Sequence, residues 1–403
     1  MQSESTNCRR QTNWLVVAVV VIGAALASLP VVFHLAAPPG PRLGAIFAYL
    51  PVTLAAVLCY ALDRKLSKKE KVDVLLLSIA LALATTYLHV WMVDQNQVFH
   101  DSTNIDWQLR LQESVIGLRP DALPHSYRFL PNSIVRLFEQ VTGDFSIARD
   151  GYRNLFSLLL FYTFYRFSRL WLRHGASLFC LALLAVILPI SFRNYAGQLT
   201  DPMSHLSFVL AFLFIETEQF AYLLLTVTIG CLAKEAIVAM AGYYALFRWR
   251  EQSYFTKLAV LILAPVAVCG FVRVLVLKQF PGYEQVSGVD SNHSSLNWIL
   301  FSEWFPALLY TAGIFVPFVV AGWRKSPWTL RSLTIFWFPV LFFSGLYFSW
   351  LRESRNFVPL SALLIVMTVY YLVPVERNQA ESETAPVGRL GSRHGSRKKI
   401  RRS

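Results

Sequence analysis

Hydrophobic positions along this chain come in long blocks that are separated by short polar stretches. Several blocks approach the roughly 20 residues that a helix needs to cross a hydrocarbon core of about 30 Å. Barrel strands would instead alternate and be about ten residues long. We therefore predict an all-α polytopic membrane protein with about 12 transmembrane helices, eleven and thirteen being the alternatives. The predicted spans are 14–34, 43–62, 72–93, 152–172, 176–192, 203–217, 220–233, 235–247, 256–277, 300–322, 332–350 and 357–374.

The boundaries are least certain between residues 176 and 247, where four segments are short or fused and one is a candidate re-entrant loop. The first span also fits a secretory signal, but its apolar run continues to Phe33, which favours a retained helix. Composition agrees with the membrane class. The 403 residues are 55% hydrophobic and 15% charged, whereas a soluble domain carries roughly a quarter charged residues.

One long polar segment, residues 94–151, follows the third predicted span. It contains two stretches in which apolar residues recur at helical spacing on one face. These faces comprise Trp107, Leu111, Val115 and Leu118 in the first stretch, and Ile134, Val135, Phe138 and Val141 in the second. Amphipathic helices of this kind lie along a membrane surface, so we predict an external loop bearing two surface helices.

Lysine and arginine residues cluster in alternate loops, which indicates the orientation because cytoplasmic loops carry an excess of them. The richest loop reads DRKLSKKEK and lies between the second and third spans. Placing it in the cytoplasm puts the other basic clusters on the same side and segment 94–151 outside. We therefore predict a multi-pass protein of the cytoplasmic (inner) membrane with both termini in the cytoplasm. The other clusters are Arg9-Arg10, Arg166 to Arg173, Arg248 to Lys257, Arg324 to Arg331 and the C-terminal tail.

The chain divides into a polytopic transmembrane domain, residues 1–375, and a basic cytoplasmic tail, residues 376–403. The tail is rich in Gly, Ser, Arg and Glu, which predicts disorder. The net charge of +13 is explained by the cytoplasmic loops and this tail, so it does not indicate a nucleic acid partner. Each basic residue near an anionic membrane surface contributes about 1 kcal/mol, so we expect the tail to bind anionic lipid headgroups.

Sequence motifs do not indicate a cofactor. The chain contains neither GxxxxGK[ST] nor GxGxxG, the usual phosphate-binding patterns of nucleotide sites. Its five cysteines are spread singly, which predicts neither a disulfide framework nor a zinc site. No spacing of histidines and carboxylates supports a divalent metal.

Charged residues at the outer ends of the predicted spans are the functional candidates, because an ionisable side chain at membrane depth is costly and is usually retained for function. Each group also has a structural explanation. Lys234 and Glu235 fit a local ion pair, the basic residues near 352–355 fit snorkelling side chains, and Asp201 fits a helix cap. The candidates are Asp94, Asp101, Asp106, Arg128, Lys234, Glu235, Arg352 and Arg355.

An external face that combines carboxylates with arginines and opens to lipid suits a lipid-phosphate substrate. Arginine makes bidentate contacts to phosphate, and a carboxylate can deprotonate an acceptor hydroxyl as a general base. The chief alternative is a secondary transporter or lipid flippase, which explains the charged residues without chemistry. A non-catalytic assembly scaffold is a third interpretation. The placement of the charges at one face, without an apparent inverted repeat, favours the transferase.

Five local strings resemble the GT-C superfamily of membrane glycosyltransferases, which use lipid-phosphate-linked sugars. The strings are HDSTNID, SYRFLP, NYAGQLTDP, AKEA and LRESRNFVPLSALL, in an order that spans residues 94–374. The resemblance implies a mannosyltransferase-like enzyme that transfers a sugar from a polyprenyl-phosphate or dolichyl-phosphate donor to an acceptor hydroxyl at the non-cytoplasmic face. It also implies a catalytic aspartate in an external loop, with basic residues from later loops closing the site.

Carried onto this chain, the resemblance implies an Asp general base, with Asp101 favoured over Asp94 and Asp106. Glu235 would orient the lysine that precedes it. The residues that would hold the lipid phosphate are Arg128, Lys234, Arg352 and Arg355. The polar loop follows the third span here, whereas the catalytic loop of the family usually follows the first, so residues 14–62 would be an additional hairpin.

Overall fold

The computed structural model describes residues 41–63, 65–91, 97–99, 102–117, 128–191, 198–279, 298, 301–348, 351 and 353–373. This part of the chain is almost entirely helical, which confirms the predicted all-α class. The exception is a pair of very short antiparallel strands, β1 (Gln97–Phe99) and β2 (Ser102–Thr103). The first predicted span, 14–34, and the basic tail, 376–403, lie outside the described residues.

Fourteen α-helices run through the described ranges. The first seven are α1 (Pro41–Leu62), α2 (Lys68–His89), α3 (Asn104–Ile116), α4 (Phe129–Thr142), α5 (Phe145–Ser168), α6 (His174–Ser191) and α7 (Thr200–Glu216). The others are α8 (Phe220–Gly230), α9 (Met240–Phe247), α10 (Tyr254–Gln279), α11 (Phe301–Thr311), α12 (Val316–Gly322), α13 (Trp328–Phe348) and α14 (Val358–Leu372). Short 3-10 helices precede α9, α12 and α14, at Glu235–Ala239, Gly313–Phe315 and Ser354–Phe357.

Several helices are long and apolar enough to cross a membrane, but the described residues do not support the predicted count of twelve spans. The segments long and apolar enough to cross a bilayer are Lys68–His89, Tyr254–Val272, Trp328–Tyr347 and Ser354–Leu372. A fifth is obtained if Trp304–Thr311 and Gly313–Gly322, which meet at 50°, form one broken span. Several of the other helices fall short of about 20 residues: α8 has 11 residues and α7 has 17. Helix α5 has 24 residues, but charged side chains interrupt it.

Helices α5 and α14 are the two around which the others pack. Helix α5 contacts α1, α2, α4, α6 and α7, while α14 contacts α6, α7, α12 and α13. Every residue of α14 from Val358 to Val369 is buried. The approach of α1 to α5 requires a glycine, because a Cβ at Gly151 would lie 2.8 Å from the carbonyl oxygen of Ala48.

Helix α4 forms as the apolar pattern predicts. Val135, Phe138 and Val141 are buried, and Ile134 is half-buried. The helix ends at Gly143, whose φ of 74° places it in the left-handed region that favours glycine. Asp144 then caps α5 by accepting a hydrogen bond from the Ile147 N–H at 2.9 Å. The turn Gly143-Asp144 therefore sets where the surface helix ends and the central helix begins.

Helix α3 also forms, but its predicted apolar face is only partly the buried one: Val115 is buried, and Leu118 lies outside the described residues. Asn104, Gln108 and Gln112 lie on its buried side, whereas Trp107 and Leu111 are only half-buried. This side of α3 packs against partly polar groups of α4. The Gln112 amide nitrogen donates a hydrogen bond to Glu139 Oε2 at 3.2 Å, and the Gln112 amide oxygen accepts one from the Arg136 N–H at 3.0 Å. Hydrogen bonding between the two surface helices therefore overrides the simple apolar pattern.

Charged residues gather at two ends of this bundle. We call one the network end: it comprises the starts of α5 and α7, the turn Cys231–Glu235 after α8, and the segment Glu353–Asn356 before α14. We call the other the opposite end: it comprises the α1–α2 loop, the end of α5 and the starts of α6 and α10.

Candidate functional site

The network end holds a connected set of charged and polar side chains from three separate segments, with the Arg128–Glu235 ion pair beside it. Arg355 is at its centre. The Arg355 guanidinium donates to Asp201 Oδ2 at 3.1 Å and to Glu353 Oε2 at 2.9 Å. The side chains of Arg355, Asp201 and Glu353 are only 2%, 4% and 10% exposed. An ion pair so far from water is stable only when its partners stay together, because a charge left alone there is not solvated.

Backbone contacts hold both sides of this ion pair in place. Asp201 accepts the N–H of Gln198 at 3.0 Å, so it fixes the chain just before α7. The predicted capping role is therefore wrong: Leu199 is the N-cap of α7, Asp201 lies in its first turn, and the N–H that Asp201 binds precedes the helix. On the other side, His205 bonds through Nε2 to the Arg355 carbonyl oxygen at 3.0 Å. Since a carbonyl can only accept, this contact places the proton on His205 Nε2.

Lys234 and Glu235 lie side by side in the sequence, but their side chains bind different partners. Glu235 accepts from Arg128 Nε at 3.3 Å, and Lys234 donates to the amide oxygen of Asn356. The prediction that Glu235 orients Lys234 through a direct contact is therefore wrong. The chain reverses direction at this point through a 3-10 helix, which turns the two consecutive side chains toward different segments.

The contacts connect in one line from the turn after α8 to the start of α7. Lys234 contacts Asn356, whose amide nitrogen lies 3.4 Å from Glu353 Oε2. Glu353 contacts Arg355, which in turn contacts Asp201. A shift at either terminus of this line would disturb each following contact, so the positions of these side chains are coupled.

Lys234 differs from the two arginines of the network in its partner. Arg128 and Arg355 each contact a carboxylate, whereas Lys234 contacts a neutral amide. Burial lowers the pKa of Lys234 to about 8, against the attraction of Asp201, and Arg128 lowers it further. A cation that is partly desolvated and not neutralised by a contacting carboxylate is the group at this site best suited to meet an anionic ligand.

The structure brings together four of the eight residues predicted from the sequence: Arg128, Lys234, Glu235 and Arg355. Asp106 is described, and it lies on an exposed face of α3. Asp94, Asp101 and Arg352 lie outside the described residues. The prediction that one of the three aspartates acts as the base stays a prediction.

Three members of the network were not among the predicted site residues. They are Asp201, Glu353 and Asn356, which supply the anionic and amide partners. The sequence offers Asp201 the role of a helix cap, and Glu353 lies in the string LRESRNFVPLSALL. The signal that could have found Glu353 is its position two residues before Arg355, because a buried arginine needs a carboxylate close by to compensate its charge.

A small cavity adjoins the network on the side of His205. Its walls come from the end of α2 and from α5, α6 and α7. The lining residues are Thr85, Thr86, His89, Arg153, Ser157, Leu160, Leu188, Pro202 and His205. The Thr86 hydroxyl, on a residue 6% exposed, has no hydrogen-bond partner within the described residues. A polar cavity of this kind accommodates ordered water, which would satisfy that hydroxyl.

Within the described ranges, no group of three or more His, Cys, Asp or Glu side chains is arranged to hold a metal ion. Comparison with protein-family models, curated proteins and solved structures finds no match to this chain. The functional assignment therefore depends on the site and on the sequence resemblance alone.

Proposed function

We propose that this chain is a membrane glycosyltransferase that transfers a sugar from a polyprenyl-phosphate donor to an acceptor hydroxyl at the non-cytoplasmic face. The observation that carries the proposal is the convergence at the network end. Arg128, Lys234 and Arg355 come from three segments distant in the sequence, yet all three lie at one end of the bundle beside apolar helices. Lys234 and Arg355 belong to one line of contacts, and Arg128 contacts Glu235, the residue that follows Lys234. Basic side chains gathered at the end of membrane helices suit an anionic lipid headgroup.

Orientation supports the same face. The DRKLSKKEK loop joins α1 to α2 at the opposite end, together with the basic residues that follow α5. The excess of lysine and arginine in cytoplasmic loops makes that end cytoplasmic. The network end then faces away from the cytoplasm, in a cytoplasmic (inner) membrane protein with both termini inside.

In the proposed reaction, the acceptor oxygen attacks the anomeric carbon of the sugar. The bond from that carbon to the phosphate oxygen breaks, and the phosphate leaves with the bonding electron pair. The acceptor proton passes to an aspartate of segment 94–151, with Asp101 favoured and Asp94 and Asp106 as alternatives. Lys234 stabilises the negative charge on the departing lipid phosphate, so no nucleotide or metal is required.

The division of roles within the network follows from its contacts. Asp201 and Glu353 both hold Arg355, so they are positioning residues rather than bases. Arg355 is already neutralised by two carboxylates, which makes it a support for the site more than a phosphate ligand. Arg128 contacts the carboxylate of Glu235, and its side chain is half-buried. It can therefore move toward a phosphate of the substrate by exchanging Glu235 for that phosphate.

The rival proposal is a secondary transporter or lipid flippase, and the broken pair α11–α12 is the feature that favours it, because transporters use discontinuous helices. In this chain, however, the hydroxyl of Ser361 donates to the carbonyl oxygen of Thr311 at 2.8 Å, directly at the break. That carbonyl is therefore occupied by the neighbouring helix instead of facing a substrate path.

A transfer assay with a radiolabelled polyprenyl-phosphate sugar tests the proposal. We expect Asp101→Asn to lower transfer by about 100-fold or more, the usual size of a general-base contribution, with normal protein levels. Glu113→Gln, on an exposed position of α3, is the matched control and should leave transfer unchanged. Full transfer in the Asp101→Asn, Asp106→Asn and Asp94→Asn variants would overturn the proposed base.

Two further measurements separate the alternatives. Movement of the substrate in sealed vesicles without a glycosidic product would favour the transporter. Cysteines introduced at Ser102 and Ser396 should be labelled from opposite sides of the membrane, and labelling of both from one side would contradict the orientation.

A further inference from the structure

An open cleft lies at the opposite end of the bundle, where α9 turns into α10. The cleft is lined by Trp249, Glu251, Ser253, Tyr254, Phe255 and Thr256. Its volume is about 540 Å³, whereas the cavity beside His205 measures about 20 Å³. The smaller cavity accommodates only water, but a cleft of several hundred Å³ has room for a lipid headgroup.

The position of the cleft along the chain indicates what surrounds it. The part of α10 that is long and apolar enough to cross a membrane begins at Tyr254. The lining residues, 249–256, therefore straddle the point at which the chain enters the hydrocarbon core. Phospholipid headgroups occupy the layer just outside that core, so the cleft opens at the level of the headgroups.

Three aromatic rings form the apolar part of the cleft. Tyr254 is fixed, because its hydroxyl donates to the Ala245 carbonyl oxygen at 3.0 Å and its ring stacks on that of Tyr244. Trp249 and Phe255 are 58% and 83% exposed, and no other large hydrophobic side chain of the described residues is as exposed as Phe255. The faces of such rings attract an ammonium group.

Arg250 supplies a cation beside the cleft. Its side chain is exposed, and its guanidinium carbon lies over the ring of Trp249, 4.6 Å from the ring centroid. No carboxylate of the described residues forms an ion pair with Arg250, because the nearby glutamates contact Arg248 and Lys257 instead. Its N–H groups can therefore bind a phosphate, to which arginine makes bidentate contacts.

Glu251 supplies an anion in the wall of the same cleft. Its Oε2 accepts from the Tyr244 hydroxyl at 2.8 Å and from the Lys257 ammonium at 2.9 Å. Its Oε1 lies 3.8 Å from Arg248, beyond hydrogen-bond distance. This second oxygen can therefore accept a hydrogen bond from an ammonium group of a ligand.

The formal charges around the cleft balance. Three cations are matched by three carboxylates, each of which contacts Arg248. The residues are Arg248, Arg250, Lys257, Glu216, Glu218 and Glu251. An anionic headgroup is attracted by an excess of basic residues, which this turn lacks. A cation and a carboxylate at one cleft instead match a headgroup that carries both charges.

We infer that this cleft binds a phospholipid whose headgroup carries a phosphate and a primary ammonium, as that of phosphatidylethanolamine does. The phosphate contacts Arg250. The ammonium lies between the exposed rings of the cleft and donates to Glu251 Oε1. The inference concerns a lipid site at the opposite end, so it does not depend on the proposed transferase activity.

Native mass spectrometry of the full-length protein, released from detergent micelles, tests the inference. Phosphatidylethanolamine and phosphatidylglycerol with the same acyl chains are titrated separately, because both carry the phosphate but only the first carries an ammonium. We expect the first equivalent of phosphatidylethanolamine to bind about fivefold more tightly, the size of one cation–π contact. Equal or tighter binding of phosphatidylglycerol would overturn the inference, and this comparison needs no variant to fold.

Matched substitutions locate the site. Arg250→Gln should weaken the binding of phosphatidylethanolamine by about tenfold, because it removes a charged partner of the phosphate. Arg331→Gln is the control, since Arg331 also lies over an exposed tryptophan, 5.4 Å from the centroid of Trp328, but that ring does not line the cleft. It should leave the affinity unchanged. An equal loss in both variants would show that the lipid is held by surface charge in general, contrary to the inference.

Discussion

Both ends of the helical bundle carry ion pairs, and one pair from each end differs sharply from the other in exposure to water. At the opposite end, Lys257 and Glu251 meet at 2.9 Å with side chains 30% and 24% exposed. At the network end, Arg355 and Asp201 meet at 3.1 Å with exposures of 2% and 4%. The distances are nearly equal, so the energetic difference must come from solvation.

This difference in exposure indicates the role of each ion pair. Pairs that remain partly in water contribute about 0–1 kcal/mol and act mainly as local ties between neighbouring segments. A pair withdrawn from water is no better for stability than an apolar contact of similar volume, so its retention calls for another reason. Under the proposed function, that reason is the positioning of Lys234, through Asn356 and Glu353, for an anionic substrate.

The largest effect is expected when the central arginine is removed. Arg355→Met leaves Asp201 and Glu353 buried without their cation, which should lower the free energy of unfolding by about 3–5 kcal/mol. Thermal unfolding in detergent, followed by tryptophan fluorescence, measures the change. Arg355→Lys is the matched variant, and it should lose less because it keeps the charge and one contact. Wild-type stability in Arg355→Met would show that the network is not buried as the structure has it.

The next effect concerns the two carboxylates that share Arg355. Asp201→Asn and Glu353→Gln each remove one of the two carboxylates that contact the Arg355 guanidinium, and the double variant removes both. The double variant should therefore lose more stability than the sum of the single changes, by a coupling of about 0.5–3 kcal/mol. Unfolding of the four proteins under one condition gives the coupling directly. Additive losses would mean that the two carboxylates act independently, contrary to the contacts.

A smaller effect is expected from the protonation of Lys234. Its ammonium is charged below pH 8 and neutral above it, because burial lowers the pKa to about 8. Affinity for farnesyl phosphate should therefore fall by about tenfold between pH 7 and pH 9. Arginine stays charged throughout this range, so Lys234→Arg should remove the pH dependence. Farnesol, which lacks the phosphate, is the control ligand, and an equal fall in its binding would contradict the role of Lys234.

Much of the fold could be predicted from the apolar blocks, since each predicted span from 43–62 onward corresponds to a helical segment. The number of membrane crossings could not be predicted in this way. Whether α7 or α8 spans a bilayer depends on how far its neighbours enclose it, which the sequence does not state. The buried side of α3 was predicted only in part for a related reason: Gln112 is buried because α4 supplies hydrogen bonds to it.

The sequence could predict which residues lie at the site, but not which of them contact each other. Topology alone brought Arg128, Lys234, Glu235 and Arg355 to one end of the molecule. It could not show that Glu235 contacts Arg128, because that contact joins residues 107 positions apart. Predicting partners from sequence neighbours favoured Lys234–Glu235, whereas the 3-10 helix at Glu235–Ala239 separates those two side chains.

The smallest effect should come from the opposite end, and it completes the comparison with Arg355→Met. Lys257→Met removes a cation from a pair that is still partly hydrated, so water can solvate Glu251 in its place. The methionine also removes the Lys257 ammonium from above the Phe220 ring, where it lies 5.6 Å from the ring centroid, a contact worth about 0.5–1 kcal/mol at an exposed site. We therefore expect a loss of at most about 2 kcal/mol, measured by the same thermal unfolding. A loss of stability as large as that of Arg355→Met would mean that side-chain exposure does not distinguish the Lys257–Glu251 pair from the Arg355–Asp201 pair. The argument that the network is retained to position Lys234 would then lose its support.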